Sequence, residues 1–202
     1  MSEEIKKTNM NDSAVNAEKD KKEPLNTKSK GYISAKKICY VAVFTALNVI
    51  MSMSVLSVPV PGGHMYLNDI IITLASLVLD PVSAFIAGGV GAFLGDLIFY
   101  PKAMFVSLVV RGVQAVAISL ISGKKDNLAP LWRAIVAVCV GAIIMIAGYT
   151  VGRAFIYGTP AASIAKLPFQ IFQAVVGAII GTFLLYATPI KRYALFLSLI
   201  HI

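Results

Sequence analysis

From Ile38 to Thr188 the sequence is a succession of apolar runs, most of them long enough to cross a bilayer, broken by prolines, glycines and short polar turns. A spanning helix needs about twenty apolar residues to traverse roughly 30 Å of hydrocarbon. With no water there to satisfy the backbone, only helices and closed barrels are viable. The composition agrees, with 57% hydrophobic and 14% charged residues and a mean hydropathy of +0.78, more apolar than a soluble domain of ordinary make-up. An all-α integral membrane protein with six transmembrane helices is expected.

The breakers place the six. The first helix is predicted over 38–58, ended by Pro59-Val60-Pro61-Gly62-Gly63. The second, about Tyr66 to Leu79, is short and stops at Asp80-Pro81, where Asp80 can cap and Pro81 can open a third helix running to Phe99 or Tyr100. After Pro101 a fourth covers Ala103 to Ser122, and a fifth covers Leu131 to Tyr157. A loop from Gly158 to Leu167 is expected next, with Pro168 as the first-turn proline of a sixth helix reaching Thr188.

Residues 1–37 carry nine Lys against six acidic residues and little to bury, which reads as a disordered cytoplasmic tail. The interleaved acids argue for a solvated segment and against nucleic acid as a partner. No secretory signal peptide is read, because the first apolar run begins only near Ile38 and is long enough to span. The membrane domain is expected over 38–192. The remainder, 193–202, is a C-terminal tail too short to span, and Leu197 to Ile202 reads as translated sequencing-adapter sequence, so His201 is given no functional weight. Basic residues near span ends are retained in the cytoplasm. Lys36, Lys37, Lys124, Lys125, Arg133, Lys191 and Arg192 on one side, against Lys102 and Lys166 on the other, place both termini inside a multi-pass protein of the cell membrane. Trp132 then falls at the inner interface.

Several chemistries are excluded. Cys39 and Cys139 lie about a hundred residues apart with no CxxC spacing and no histidine nearby, so they are expected to be buried small hydrophobes, with no metal site. There is no Gly-rich loop ending in Gly-Lys-Ser/Thr to hold ATP, and no compact acid–base constellation for an enzyme. No cofactor is expected.

With that topology the intramembrane polar residues converge on the outer half of the bundle. They are Tyr66, Asn68 and Asp69 on the second helix, Asp96 and Tyr100 on the third, Arg111 and Gln114 on the fourth, Tyr149, Arg153 and Tyr157 on the fifth, and Gln170 and Gln173 on the sixth. Charges at membrane depth cost a few kcal/mol unless paired or hydrated, so Asp69, Asp96, Arg111 and Arg153 should face one another or a wet cavity. A substrate pocket open to the outside is one reading. The other is a pair of structural Asp–Arg bridges, with Asp96 the natural partner of Arg111, glutamines joining helices, Asn68 or Asp69 merely capping, and tyrosines in an interfacial belt. Purely structural pairs have no reason to avoid the inner half, which favours the pocket. Small residues recur at a spacing of four: Ala42 and Ala46 on the first helix, Gly88, Gly91, Ala92 and Gly95 on the third, and Ala174, Gly177, Ala178 and Gly181 on the sixth. Such stripes let helices approach closely.

The AxxxA at Ala42-Val43-Phe44-Thr45-Ala46, the hairpin block Tyr66-Leu67-Asn68-Asp69 through Leu79-Asp80-Pro81 to Gly95-Asp96, and the later Arg111-Gly112, Gly148-Tyr149, Tyr157-Gly158 and Pro168-Phe169-Gln170-Ile171-Phe172-Gln173 occur in this order over about Ser34 to Arg192. Together they resemble the substrate-binding S components of energy-coupling factor (ECF) vitamin transporters, in the branch associated with riboflavin, hydroxymethylpyrimidine and vitamin B6 compounds. The resemblance implies a subunit that captures a water-soluble vitamin on the outer face. The turn from Pro59 to Met65, with His64, would form part of a lid. A membrane-embedded coupling (T) subunit and two ATPase subunits would supply energy, with Ala42 and Ala46 in the docking face. The chain departs from that branch at Arg111, more often Lys there, and at Arg153, where an acidic residue is more common. Two arginines suit an anionic or carbonyl-rich ligand, and Tyr66, Tyr149 and Tyr157 offer rings for stacking. The alternative function is a stand-alone secondary transporter of a small polar metabolite, for which the sequence offers no internal repeat.

Overall fold

The computed structural model describes residues 35–53, 58–60, 63–123, 129–156 and 160–187. The expected tails, the basic residues Lys124, Lys125, Lys191 and Arg192, and Tyr157 lie outside them, as does the side chain of His64. Six helices carry the chain, with one two-stranded hairpin among the described residues. Helix α1, Ala35–Met53, ends five residues before the expected limit. The β-branched and proline-rich stretch beyond it forms β1 (Val58–Val60) and β2 (Gly63–Met65), antiparallel with Val58 opposite Met65 and Val60 opposite Gly63. Valine favours the extended backbone and proline supplies no ladder donor.

Helix α2, Asp69–Val78, has ten residues, hence about 15 Å of length, roughly half the hydrocarbon thickness. Leu79 leaves it in extended conformation. Asp80 then caps α3, accepting from the Ser83 N–H at 3.3 Å, with Pro81 in the first turn as the sequence predicts. Helix α3 runs as Pro81–Phe85, a π-helical turn Ile86–Val90, and Gly91–Phe99. A 3₁₀ turn, Pro101–Ala103, leads into α4, Met104–Ser122. Gly123, at φ +60°, closes α4 in the left-handed conformation glycine tolerates. From the next helix Arg133 donates to the Ile121 carbonyl at 3.1 Å, satisfying an orphan acceptor of that terminus. Helix α5, Leu131–Val151, continues as a π-helical turn, Gly152–Ile156.

The sixth helix corrects the sequence reading. The loop expected over Gly158 to Leu167 is helical from residue 160, and α6 runs over Pro160–Ala187 with Pro168 inside it. A proline within a membrane helix is tolerated because neighbours re-satisfy the freed backbone. Four helical stretches, Pro81–Ile98, Pro101–Ser122, Leu131–Ile156 and Ser163–Ala187, are long and apolar enough to cross a membrane, while Lys37–Met53 and Asp69–Val78 are shorter apolar helices. The chain is a multi-pass membrane protein. Cys39 and Cys139 correct a second expectation, since both are exposed on the bundle surface.

One end of the bundle holds the Asp80 turn, Gly123 and the start of α5; the other holds the hairpin, Tyr100 and the start of α6. Toward the Asp80 end the core is apolar, with Leu74, Leu77, Ile118, Ala137, Val138 and Leu185 packed together. At Gly89 a side chain would meet the Leu108 carbonyl at 2.9 Å and the Gly112 Cα at 3.0 Å, so α3 and α4 touch backbone to backbone. Helices α1 and α3 interlock differently, with Asn48 seated against Gly91 and Ser52 against Gly95. The face of α1 that carries Ala42 and Ala46 is exposed.

Lys37 ties α1 to the α3 cap through an ion pair with Asp80 at 2.8 Å. Burial pushes the Asp80 carboxyl up, but the Lys37 ammonium and the bonds from Ser83 outweigh it and hold the pKa below its ordinary value. A depressed carboxyl stabilises the fold above its unfolded-state pKa and loses that contribution as pH falls through the folded value. Asp80→Ala is therefore expected to cost about 1 kcal/mol at pH 7. Thermal unfolding from pH 7 to pH 2 should show the gap between wild type and variant beginning to shrink near the ordinary carboxyl value, about pH 4, and continuing to shrink below it; a gap that stays constant down to pH 2 would rule out the ionised cap.

Candidate functional site

The predicted polar residues meet in one buried cluster between the middle of the bundle and its hairpin end. Asp69 stands in the first turn of α2, and Arg111 lies seven residues into α4, about 10 Å from its start. They form an ion pair with each side chain only 2% exposed. The same carboxylate accepts from Gln114 Nε2 at 3.3 Å and from Gln173 on α6, and Arg111 Nη1 also donates to Gln114 Oε1 at 3.1 Å. Glycine makes this junction possible: a Cβ at Gly177 would lie 2.4 Å from the Asp69 Cβ.

Arg111 therefore pairs with Asp69; Asp96, the expected partner, instead accepts from Ser107. Ser107 in turn accepts from the Tyr149 hydroxyl at 2.8 Å. Tyr66 is hydrogen-bonded to Asp96 as well; burial, and then the Asp96 charge, push its phenol above the ordinary value, so it remains a donor. The Arg111 and Arg153 guanidinium carbons lie 5.3 and 5.8 Å from the Tyr149 ring centre, within cation–π range. A ligand ring must compete with them for a Tyr149 face. Asn68 does not cap α2 with its side chain. Its Oδ1 lies 3.5 Å from Arg111 Nη2, and its Nδ2 donates to Ser52 Oγ at 3.1 Å.

These groups surround a cavity whose walls include Tyr66, Asp96 and Tyr100 on one side and Arg111, Tyr149 and Arg153 on another. Gln170 and Gln173 close it from α6. Because α6 begins at Pro160, Gln170 sits about 15 Å along the helix, deeper than a helix opening at Pro168 implies. The cavity measures about 20 Å³, room for about one water. A heterocycle can enter only if these side chains part. Tyr66 links β2 to α2, and its N–H donates to Gln173 Oε1 at 3.3 Å. Of the expected residues, Asn68, Asp69 and Gln114 stand behind this wall, holding Arg111.

Lys166 is the residue the sequence reading misplaced. It is 5% exposed and lines the cavity beside Arg153. The signal was present, for Ser163, Lys166, Gln170 and Gln173 fall at spacings of three and four straight across Pro168, as on one helix face. Ser107 and Met145 were also unforeseen; single residues in apolar runs carry no such pattern. Among the described residues no cluster of three or more His, Cys, Asp or Glu side chains is arranged to hold a metal.

A family model for the ECF-type riboflavin transporter, S component, matches residues 32–191 of this chain. An "Uncharacterized protein in gap 3'region" of Pyrococcus woesei is 34% identical over 135 residues, covering 66% of this chain and 88% of that protein.

Proposed function

The chain belongs to the family of ECF-type riboflavin transporter S components, and on that premise we propose that it captures a flat water-soluble vitamin or precursor at the buried cluster. Riboflavin, hydroxymethylpyrimidine and the vitamin B6 compounds are the candidates. The family is one of transporter subunits, not of enzymes. S components work in general with a T subunit and ATPases, and we assign this chain the same division of labour, with both termini cytoplasmic and the hairpin end facing out. The observation that carries the reading is the convergence of Asp96, Arg111, Tyr149, Arg153, Gln170 and Gln173 from four helices on one cavity. A membrane bundle held only by structural pairs has no need to gather so many donors and acceptors around a space.

Equilibrium binding of riboflavin, hydroxymethylpyrimidine, pyridoxine and pyridoxamine to the purified protein tests these candidates directly; no binding of any of them removes these four compounds as its cargo. The docking role of α1 has a separate test. Ala42 and Ala46 are exposed while Asn48 and Ser52 on the same helix are buried, so Ala46→Leu is expected to leave ligand affinity within about twofold of wild type and to abolish ATPase-dependent uptake in cells. Unaltered uptake would remove that face from the interface.

A further inference from the structure

We propose that the ligand carries an oxyanion, a phosphate ester or a carboxylate, bound by Lys166, Arg153 and Arg111. The inference rests on the capture reading above and names the class of ligand. Its basis is the charge held inside the cluster. Arg111, Arg153 and Lys166 are 2%, 8% and 5% exposed and line the same cavity. Among the described residues the carboxylates are Asp69, Asp80 and Asp96, and Asp80 is at the opposite end, paired with Lys37. Three basic side chains against two carboxylates make an excess of basic groups in the described cavity wall, in a place where water is scarce.

The carboxylates are also heavily shared. Asp69 accepts from Arg111, Gln114 and Gln173, and Asp96 accepts from Ser107 and Tyr66. Like charges brought together in a low-dielectric interior repel strongly, and desolvation adds several kcal/mol for each ion. A neutral vitamin entering the cavity would strip the remaining water and leave the excess in place. An oxyanion removes it, and three cationic side chains from α4, α5 and α6 match the several acceptors of a phosphate or carboxylate. Lys102, exposed on the 3₁₀ turn at the same end, adds positive potential at the approach. Two further atoms in the cavity wall favour a ring bearing both donors and acceptors: the buried Gln170 Oε1 and Arg111 Nε have no hydrogen-bond partner.

The test uses the full chain in lipid nanodiscs and paired probes that differ in charge. They are flavin mononucleotide with riboflavin, pyridoxal 5′-phosphate with pyridoxal, and 4-pyridoxate with pyridoxine; inorganic phosphate alone reports on simple anion binding. The expected result is a charged member binding at least about tenfold tighter than its neutral mate, a difference of roughly 1.4 kcal/mol. The phosphate and carboxylate pairs tell the two oxyanions apart. Lys166→Met should erase the preference of the protein for the charged member of each pair. Neutral members binding as tightly as charged ones, or a preference for the charged members undiminished in Lys166→Met, overturns the proposal and leaves the capture reading standing. Binding of no probe of either kind overturns the capture reading itself. Should Lys166→Met not accumulate, the wild-type pairs still decide the matter.

Discussion

Asp69→Ala is expected to lower the stability of the protein by about 3–5 kcal/mol, the penalty for leaving one member of a buried ion pair without its partner. The size follows from position. Arg111 is 2% exposed and its partner carboxylate also receives Gln114 and Gln173, so one substitution strips α4 and α6 of a common acceptor. Thermal unfolding and monodispersity in detergent measure it. The double variant Asp69→Leu, Arg111→Met tests what the pair is for. Replacing both partners by apolar residues of similar volume removes the penalty of an unpaired buried charge but still leaves Gln114 and Gln173 without their acceptor, so the double variant should recover part of the stability that Asp69→Ala loses. It should nevertheless bind ligand at least tenfold more weakly, because Arg111 lines the cavity. An Asp69→Ala protein as stable as wild type would deny the pair its structural weight; a double variant with unimpaired binding would deny Arg111 its ligand.

Gly177→Ala is the second substitution with a large expected effect. The added carbon would sit 2.4 Å from the Asp69 Cβ and 3.1 Å from its backbone carbon, so neither group can swing aside and α6 must move away from α2. Overpacking of this kind costs about 1–3 kcal/mol. Because Gln173 precedes Gly177 by one turn, the displacement also opens the bonds Gln173 makes to Asp69 and Tyr66, and affinity should fall at least tenfold. Gly181→Ala is the internal control. It meets the Ile70 carbonyl at 3.0 Å and Thr73 one turn further from the cluster, so it should destabilise the fold with much less effect on affinity. Equal affinity losses in both would show that the effect is global unfolding.

The contrast between these glycines and the exposed alanines of α1 was only partly legible in the sequence. Stripes of small residues on the third and sixth helices announced close packing, and Gly91, Gly95, Gly177 and Gly181 do receive neighbouring side chains. The breakers Asp80-Pro81 and Pro101 also lie where helices end or begin. Pro168 did not behave as a breaker, because a membrane helix has neighbours that can donate to the freed carbonyl; from that one misreading came the loss of Lys166 and a cluster placed too near the surface. The π-helical turns could not have been seen at all. One lies in α3 at Ile86–Val90 and one at the end of α5 at Gly152–Ile156, and a single π turn inside a helix has no periodicity of its own to announce it. Pairing was equally hidden. Asp69 and Asp96 are both plausible partners for Arg111 by spacing, and only the packing of α2 on α6 decides that Asp69 is reached.

The π turn in α3 has a consequence for how such a subunit can move. Asn48 Nδ2 donates to the Ala87 and Gly88 carbonyls at 2.9 and 3.2 Å, and Ser52 Oγ donates to the Asn48 carbonyl at 3.0 Å. Asn68 joins Ser52 to Arg111. Sliding α1 along α3 by one helical turn, about 5.4 Å, would break both amide bonds and drive Asn48 and Ser52 out of the hollows at Gly91 and Gly95. The two helices are bolted against such travel. Any large reorientation in the bilayer carries α1, α3 and the Arg111 cluster together as one rigid load.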